Sequence, residues 1–217
     1  MKYQKNAMQT SSPSAPTVKT RLALLYTMGD LHAEPLRYDL NCLRLLVADL
    51  APDLLCVEVT QEAWESGQLS ASGLEIRSAL VPVSAATDIV LVPVAPSPAR
   101  FSDYASPPGW RRDLARWLDL CLRWGQRKAD GPEAIHGPIF QTFCHTLCTL
   151  TELSWKPQDR AAWEAQNHSL VESILQVVRR DPGRRVLVVV QCQRLHRIVP
   201  LLNAHAEELE IVSYQEL

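Results

Sequence analysis

The sequence has no surplus of positive charge. Its 22 Lys and Arg face 24 Asp and Glu, for a net charge of -2. A nucleic-acid-binding domain generally gathers cations on one face, so no nucleic-acid partner is expected. The Arg pairs at 111–112, 179–180 and 184–185 are local and offset by nearby acids. No apolar run is long enough to span a bilayer, and residues 1–20 lack the apolar segment of a secretory signal. The expectation is a cytoplasmic protein with no membrane partner. There is no GxSxG, so a serine-hydrolase elbow is excluded, and no Walker A or GxGxxG to cradle a nucleotide. There is no CxxC pair for a zinc ribbon. The six Cys (42, 56, 121, 144, 148, 192) lie within apolar patterns and read as buried, reduced thiols.

What is present is an alternation of strands and helices. Residues 1–20 form a polar tail with little apolar surface to bury, expected to be disordered. Residues 21–217 then read as one α/β domain. Leu22–Met28 is a near-continuous apolar run, as in a strand covered on both faces. A helix over 35–50 follows, with Pro35 at its first position and Leu36, Leu40, Leu43, Val47 and Leu50 along one stripe. Ala51-Pro52-Asp53 stops it, and Leu54–Val59 is the next strand. Ile89–Val94 is a third, with Pro93 marking a strand end or a sheet edge. Two helices, over 110–125 and 138–153, have no strand between them and read as an insertion covering the strand carboxyl ends. In the first, Trp117 and Trp124 are assigned to the core, while Trp110 and Trp155 are placed at a pocket mouth. A helix over 160–180, the strand Val186–Val190, a helix from His196 and a short strand from Leu209 complete the chain. The fold class expected is α/β, with a mostly parallel central sheet flanked by helices.

Ligands in such sheets bind beyond the carboxyl ends of the strands. Three strands place ionisable groups there: Gly29-Asp30-Leu31-His32 after the first, Glu58 as the penultimate residue of the second, and His196 shortly after Val190. Gly29 lets the backbone turn sharply and a substrate approach. A helix start near His32 would favour neutral imidazole, the form that serves as a base or metal ligand. Histidine with a carboxylate can activate water directly or through a divalent metal. The competing reading makes Glu58 a structural ion-pair partner of an arginine and His196 a surface histidine. Cys144 and Cys148, four apart, could hold a soft metal but read better as core thiols. His136, His168 and His205 are placed in solvent.

The arrangement resembles the superfamily of ChaN-like haem-uptake proteins, TraB and Tiki proteins, and erythromycin esterases. The opening motif of that group is strand, GxxH, helix ending in Pro-Asp, and strand ending in Glu. It is matched here by Gly29-Asp30-Leu31-His32, Pro52-Asp53 and Cys56-Val57-Glu58-Val59. Its later motif, an Arg-Asn pair and a second GxxH, is matched by Gln166-Asn167 and Gln193-Arg194-Leu195-His196. Gln166 replaces an arginine and Gln193 a glycine. The resemblance implies a pocket formed by His32, Glu58 and His196, with Asp30 orienting His32 and with Gly29, Gln166 and Gln193 around the ligand. It implies hydrolysis of a peptide, ester or related small substrate, with His32, Glu58 and His196 as ligands if a divalent metal is used. Haem is the less favoured cofactor. The other function implied is a degenerate binding or interaction protein on the same scaffold, and a homo-oligomer is left open.

Overall fold

Five parallel strands, β1 (Thr20–Thr27), β2 (Leu54–Val57), β3 (Val90–Pro93), β4 (Arg185–Gln191) and β5 (Leu209–Val212), make one sheet in the order β3-β2-β4-β1-β5. The computed structural model describes residues 19–104 and 106–217. Most of the expected tail, residues 1–18, lies outside the described residues, and β1 already begins at Thr20. The sheet is all-parallel and flanked by helices, as the alternation of elements implies.

The apolar runs become the inner strands because parallel strands are buried on both faces. Val186–Val190 of β4 are all buried, and β4 pairs with β1 on one side and β2 on the other. Pro93 falls in β3, which is both short and at the sheet edge, where a missing N–H is tolerated.

Helix α1 is Leu40–Leu50, five residues later than Pro35 suggested. Asp39 caps it, accepting from the Cys42 N–H at 2.8 Å. Pro35 sits in the loop before it. Ala51 ends α1 in a left-handed conformation (φ 42°), with Pro52 behind it. Helix α2 (Gln61–Glu65) is capped by Thr60. A π-type turn over Ile76–Leu80 leads into α3 (Val81–Ala85). Pro82 cannot donate into a regular ladder, so the wider turn ahead of it is a natural accommodation.

Helices α4 (Trp110–Lys128), α5 (Pro132–His136) and α6 (Pro138–Ser154) form the expected helical region. It packs at the carboxyl ends of β1 and β4: the His136 ring stacks on Tyr26, and the Cys144 thiol meets the Cys192 carbonyl at 3.4 Å. Gly125 in α4 leaves room for the Phe143 ring of α6. Helix α7 (Pro157–Arg180) and α8 (Leu195–Asn203) complete the flanking layers.

Two assignments fail here, Trp117 and Trp124 as core and Trp155 at a pocket mouth. Trp117 and Trp124 are not core; they point outward from α4, whose buried side carries Leu118, Leu122 and Gln126. Trp155 is buried instead, in a cluster with Phe101, Tyr104 and Trp163. All six cysteines are free thiols, as expected, but only Cys56, Cys144, Cys148 and Cys192 are buried; Cys42 and Cys121, on the flanks of their helices, are partly exposed.

Candidate functional site

Glu58 stands one residue beyond the end of β2, not within it. It is an anchor. Its Oε1 accepts from the Gln191 N–H at the end of β4 (2.8 Å), and its Oε2 accepts from Arg194 Nε (2.6 Å). Arg194 is almost fully enclosed. Its Nη1 donates to Asn167 Oδ1 (3.0 Å), and its Nη2 reaches Gln166 Oε1 (3.3 Å) and the Ala99 carbonyl (3.4 Å). The guanidinium lies over the Trp163 ring, 4.2 Å from its centroid. The planar fork of arginine suits such a pocket, where each of its three nitrogens finds an acceptor. Gln166 in turn donates to Ser97 Oγ and the Ala99 carbonyl, both at 2.7 Å. Arg194 supplies the positive charge beside Glu58, and the Gln166 amide oxygen is one of its acceptors.

His32 sits in a single tight turn, Gly29–Ala33, not at the start of α1. The turn needs Gly29 in the left-handed region (φ 60°), where a Cβ would also press on the Gln191 amide at 3.3 Å. Both imidazole nitrogens are used internally. Nδ1–H donates to the Tyr38 carbonyl (2.8 Å), and Nε2 accepts from the Met28 N–H (3.0 Å). Burial pushes the ring's pKa down to about 4. The neutral form expected is therefore present, but burial causes it, not a helix terminus. Asp30 is exposed, and among the described residues no hydrogen bond joins it to His32; the Tyr38 carbonyl orients that ring.

His196 belongs to a third cluster. Its side chain is 4% exposed, and its Nε2 meets Glu152 Oε1 at 2.7 Å. Glu152 also accepts from Trp163 Nε1 (2.9 Å) and from Arg197 through its other oxygen. Burial pushes the Glu152 carboxyl up, but the bonds from His196 and Arg197 outweigh it, and the net shift is downward. His196 Nδ1 is buried with no partner. His145 stacks on the same ring, centroids 5.3 Å apart.

The expected pocket of His32, Glu58 and His196 does not close around one cavity. A small cleft of about 40 Å³, room for about three waters, opens at the strand ends beside Glu58, Glu75, Ser97 and Gln191. A larger one of about 570 Å³ lies on the other side of β1 and is lined by Tyr26, His136, His145, His196 and Tyr214. His32 lines neither. Gln193 is half-buried at the turn before α8 and lines neither cleft. Among the described residues, no three His, Cys, Asp or Glu side chains are grouped to hold a metal.

No protein-family model, curated protein or solved structure matches the chain. The likeness to the ChaN, TraB, Tiki and erythromycin esterase group rests on the motif residues alone.

Several site residues escaped the sequence reading. Arg194 lay inside a quoted motif but was passed over beside His196. Glu152 carried a readable signal, as the one charged residue in α6. Glu75 is buried, its Oε2 unpartnered, and its carboxyl is pushed up chiefly by desolvation. Its carboxylate folds back over Gly73, where a Cβ would lie 2.6 Å from both oxygens. His136, expected in solvent, is enclosed: its Nε2 accepts from the Tyr26 N–H (3.2 Å), and burial lowers its pKa to about 3. β5 pairs with β1 only as far as Ala23, so the Tyr26 N–H lacks a strand partner on that edge and His136 supplies the acceptor.

Proposed function

We propose that this chain is a binding protein on a hydrolase-like scaffold, taking a small ligand in the histidine-lined cleft between β1, α6 and α8. The observation that carries this reading is the unequal state of the histidines. His32 has both nitrogens committed to backbone, and Glu58 has both oxygens committed to Arg194 and Gln191. His32 cannot take a proton from water without breaking a buried bond. His196 keeps a buried, unpartnered Nδ1, a group that a ligand's polar atom would satisfy. The cleft's 570 Å³ is in the size range of small-molecule sites, and Tyr26, His145 and Tyr214 offer flat surfaces for stacking.

A thermal-shift screen of small polar and aromatic ligands tests it. A hit should raise the melting temperature of the wild-type chain and lose its effect in His196→Gln and in His145→Ala. A hit unaffected by both changes would remove the cleft from consideration. Titration with haem, followed by the Soret band, is one arm of the same screen; dependence on His145 or His196 would identify haem as the ligand.

One observation favours a second reading, hydrolysis. Glu75, pushed toward its neutral acid form, faces the same small cleft as Glu58. A carboxyl held toward its neutral form beside a second carboxylate can divide acid and base roles with it. Glu58 would then activate a water and Glu75 protonate the leaving group of an ester or peptide. Turnover of an ester and peptide panel that is lost in Glu75→Gln would establish this; no turnover by the wild-type chain would leave the binding reading alone.

A further inference from the structure

The outer face of the α4–α6 pair is not used by either cleft. On α4, Trp110, Leu114, Trp117, Cys121 and Trp124 recur at spacings of four and three, which places them on one stripe. That stripe faces outward: Trp110, Trp117 and Trp124 are 70%, 59% and 62% exposed. Leu120 beside it is equally open. On the neighbouring α6, Ile139, Leu150 and Leu153 are exposed, and the helix's one charged residue, Glu152, is buried beneath. Three tryptophans left open to this degree amount to roughly 400 Å². With the aliphatic residues the face exceeds the roughly 300–600 Å² of the largest apolar patch on an ordinary monomer.

The charge beside this face is also unusual. Helix α4 carries six cations against Asp113 and Asp119, a net +4 in a chain whose total is -2. Arg123 pairs with Asp119 and Arg127 with Glu34. Among the described residues, Arg111, Arg112, Arg116 and Lys128 have no carboxylate partner. The Arg111 guanidinium lies 5.5 Å from the Trp110 ring centroid.

We propose that α4, together with the uncharged face of α6, docks on an anionic phospholipid surface, lying in its plane. Charge complementarity selects this occupant. A second copy of the chain would bring two helices of net +4 together, whereas anionic headgroups neutralise the unpaired cations. None of the five principal clefts is lined by an α4 residue. Indole rings are suited to the headgroup level, where the ring body leaves water and the N–H keeps a polar partner. An amphipathic helix with tryptophans on one side and arginines on the other can sink its apolar face into that boundary. No helix among the described residues is long and apolar enough to cross a membrane, so attachment is at the surface. The expectation of no membrane partner came from the lack of a spanning segment, which does not bear on surface attachment.

The test is cosedimentation of the full chain with phosphatidylcholine vesicles, with and without phosphatidylglycerol. The chain is expected to bind the anionic vesicles, with a blue shift of tryptophan fluorescence, and to be released by salt. Arg112→Glu/Arg116→Glu should weaken binding by roughly thirtyfold or more, since each cation contributes about a fivefold factor. Trp117→Ser/Trp124→Ser should abolish it while leaving the far-ultraviolet circular dichroism unchanged. Quenching of the wild-type chain's tryptophans by bromine-labelled acyl chains needs no variant and should be seen with anionic vesicles. The proposal is overturned if the wild-type chain ignores anionic vesicles or binds neutral ones equally. It is also overturned if sedimentation velocity shows a dimer that the tryptophan variant dissolves, because a second copy would then cover the face.

Discussion

Two carboxylates anchor the loops around the sheet, Glu58 partly open to a small cleft and Glu152 buried, and they are solved differently. Glu58 meets one arginine and one backbone N–H, and Arg194 is itself enclosed by Asn167, Gln166, Ala99 and Trp163. Glu152 meets Trp163, His196 and Arg197, but Arg197 is partly open to water and His196 has a nitrogen left over. The first is the better-matched network, with its one ion pair made and every arginine nitrogen given an acceptor. The second has slack. A closed network fixes backbone, whereas a site that must accept a ligand needs an unspent group. Trp163 touches both, its ring under Arg194 and its N–H on Glu152, so the two networks share one wall.

The comparison can be broken most forcefully at Arg194. Arg194→Met should cost about 3–5 kcal/mol in urea unfolding, because an enclosed guanidinium is removed and Glu58, Asn167 and Gln166 lose their shared donor. Adding Glu58→Gln to that variant should recover part of the loss; a double variant no better than the single would mean that Arg194 acts by packing alone.

Acid should act next. His32 has a folded pKa of about 4 against 6.5 unfolded, so between these values the unfolded chain binds a proton that the folded chain refuses. The stabilisation is complete above pH 6.5, is lost as pH falls through that window, and levels off below pH 4. About 3 kcal/mol should disappear, and His136 adds to it in the same direction. Urea midpoints followed across the window should fall steadily; a flat profile would contradict the buried, neutral state of both rings.

Breaking the looser network should cost less. Glu152→Gln keeps the shape but removes the charge that Arg197 and His196 share, for a loss of about 2 kcal/mol. Arg197 can turn toward solvent, which is why the figure falls below that for Arg194. The downward shift of Glu152 means its contribution is present above the ordinary carboxyl range and fades as pH falls through the lower folded value. Equal losses in Glu152→Gln and Arg194→Met would erase the distinction between the networks.

The smallest effect is expected at Trp117. Trp117→Ser should change stability by no more than about 0.5 kcal/mol, as for other exposed positions. A loss of several kcal/mol would show that the ring is covered in solution.

The strands were readable because burial on both faces leaves a direct mark, a continuous apolar run. Val186–Val190 and Leu22–Thr27 carry it plainly, and Pro93 correctly marked an edge. Helix starts were less readable. Pro35 and Asp39 are both good start signals, and only packing chose Asp39. The amphipathic stripe of α4 was visible, but not which side it faced. Leu118 and Leu122 lie on the adjacent side of the same helix, and contact with α6 settled the matter in their favour. The site was legible only in part, through His32, Glu58 and His196, and not at all as a set of partners. Arg194, His196 and Glu58 were all near strand ends, as the fold requires. The pairing of Arg194 with Glu58, and of His196 with Glu152, joins segments 136 and 44 residues apart.

The sequence by itself determined the elements: an alternation of apolar runs and amphipathic helices that can satisfy their backbones only as a parallel sheet with helices on its faces. Tertiary structure decided the strand order, and with it the chemistry. β4 arrives late in the chain and wedges between β1 and β2, so the turn after β1 that bears His32 and the end of β2 that leads to Glu58 are two strand spacings apart, roughly 10 Å. The β4 backbone takes one oxygen of Glu58, and Arg194 just beyond takes the other. Apolar periodicity is a local property that a chain carries with it. The partner of a buried charge depends on which distant segment fills the space beside it.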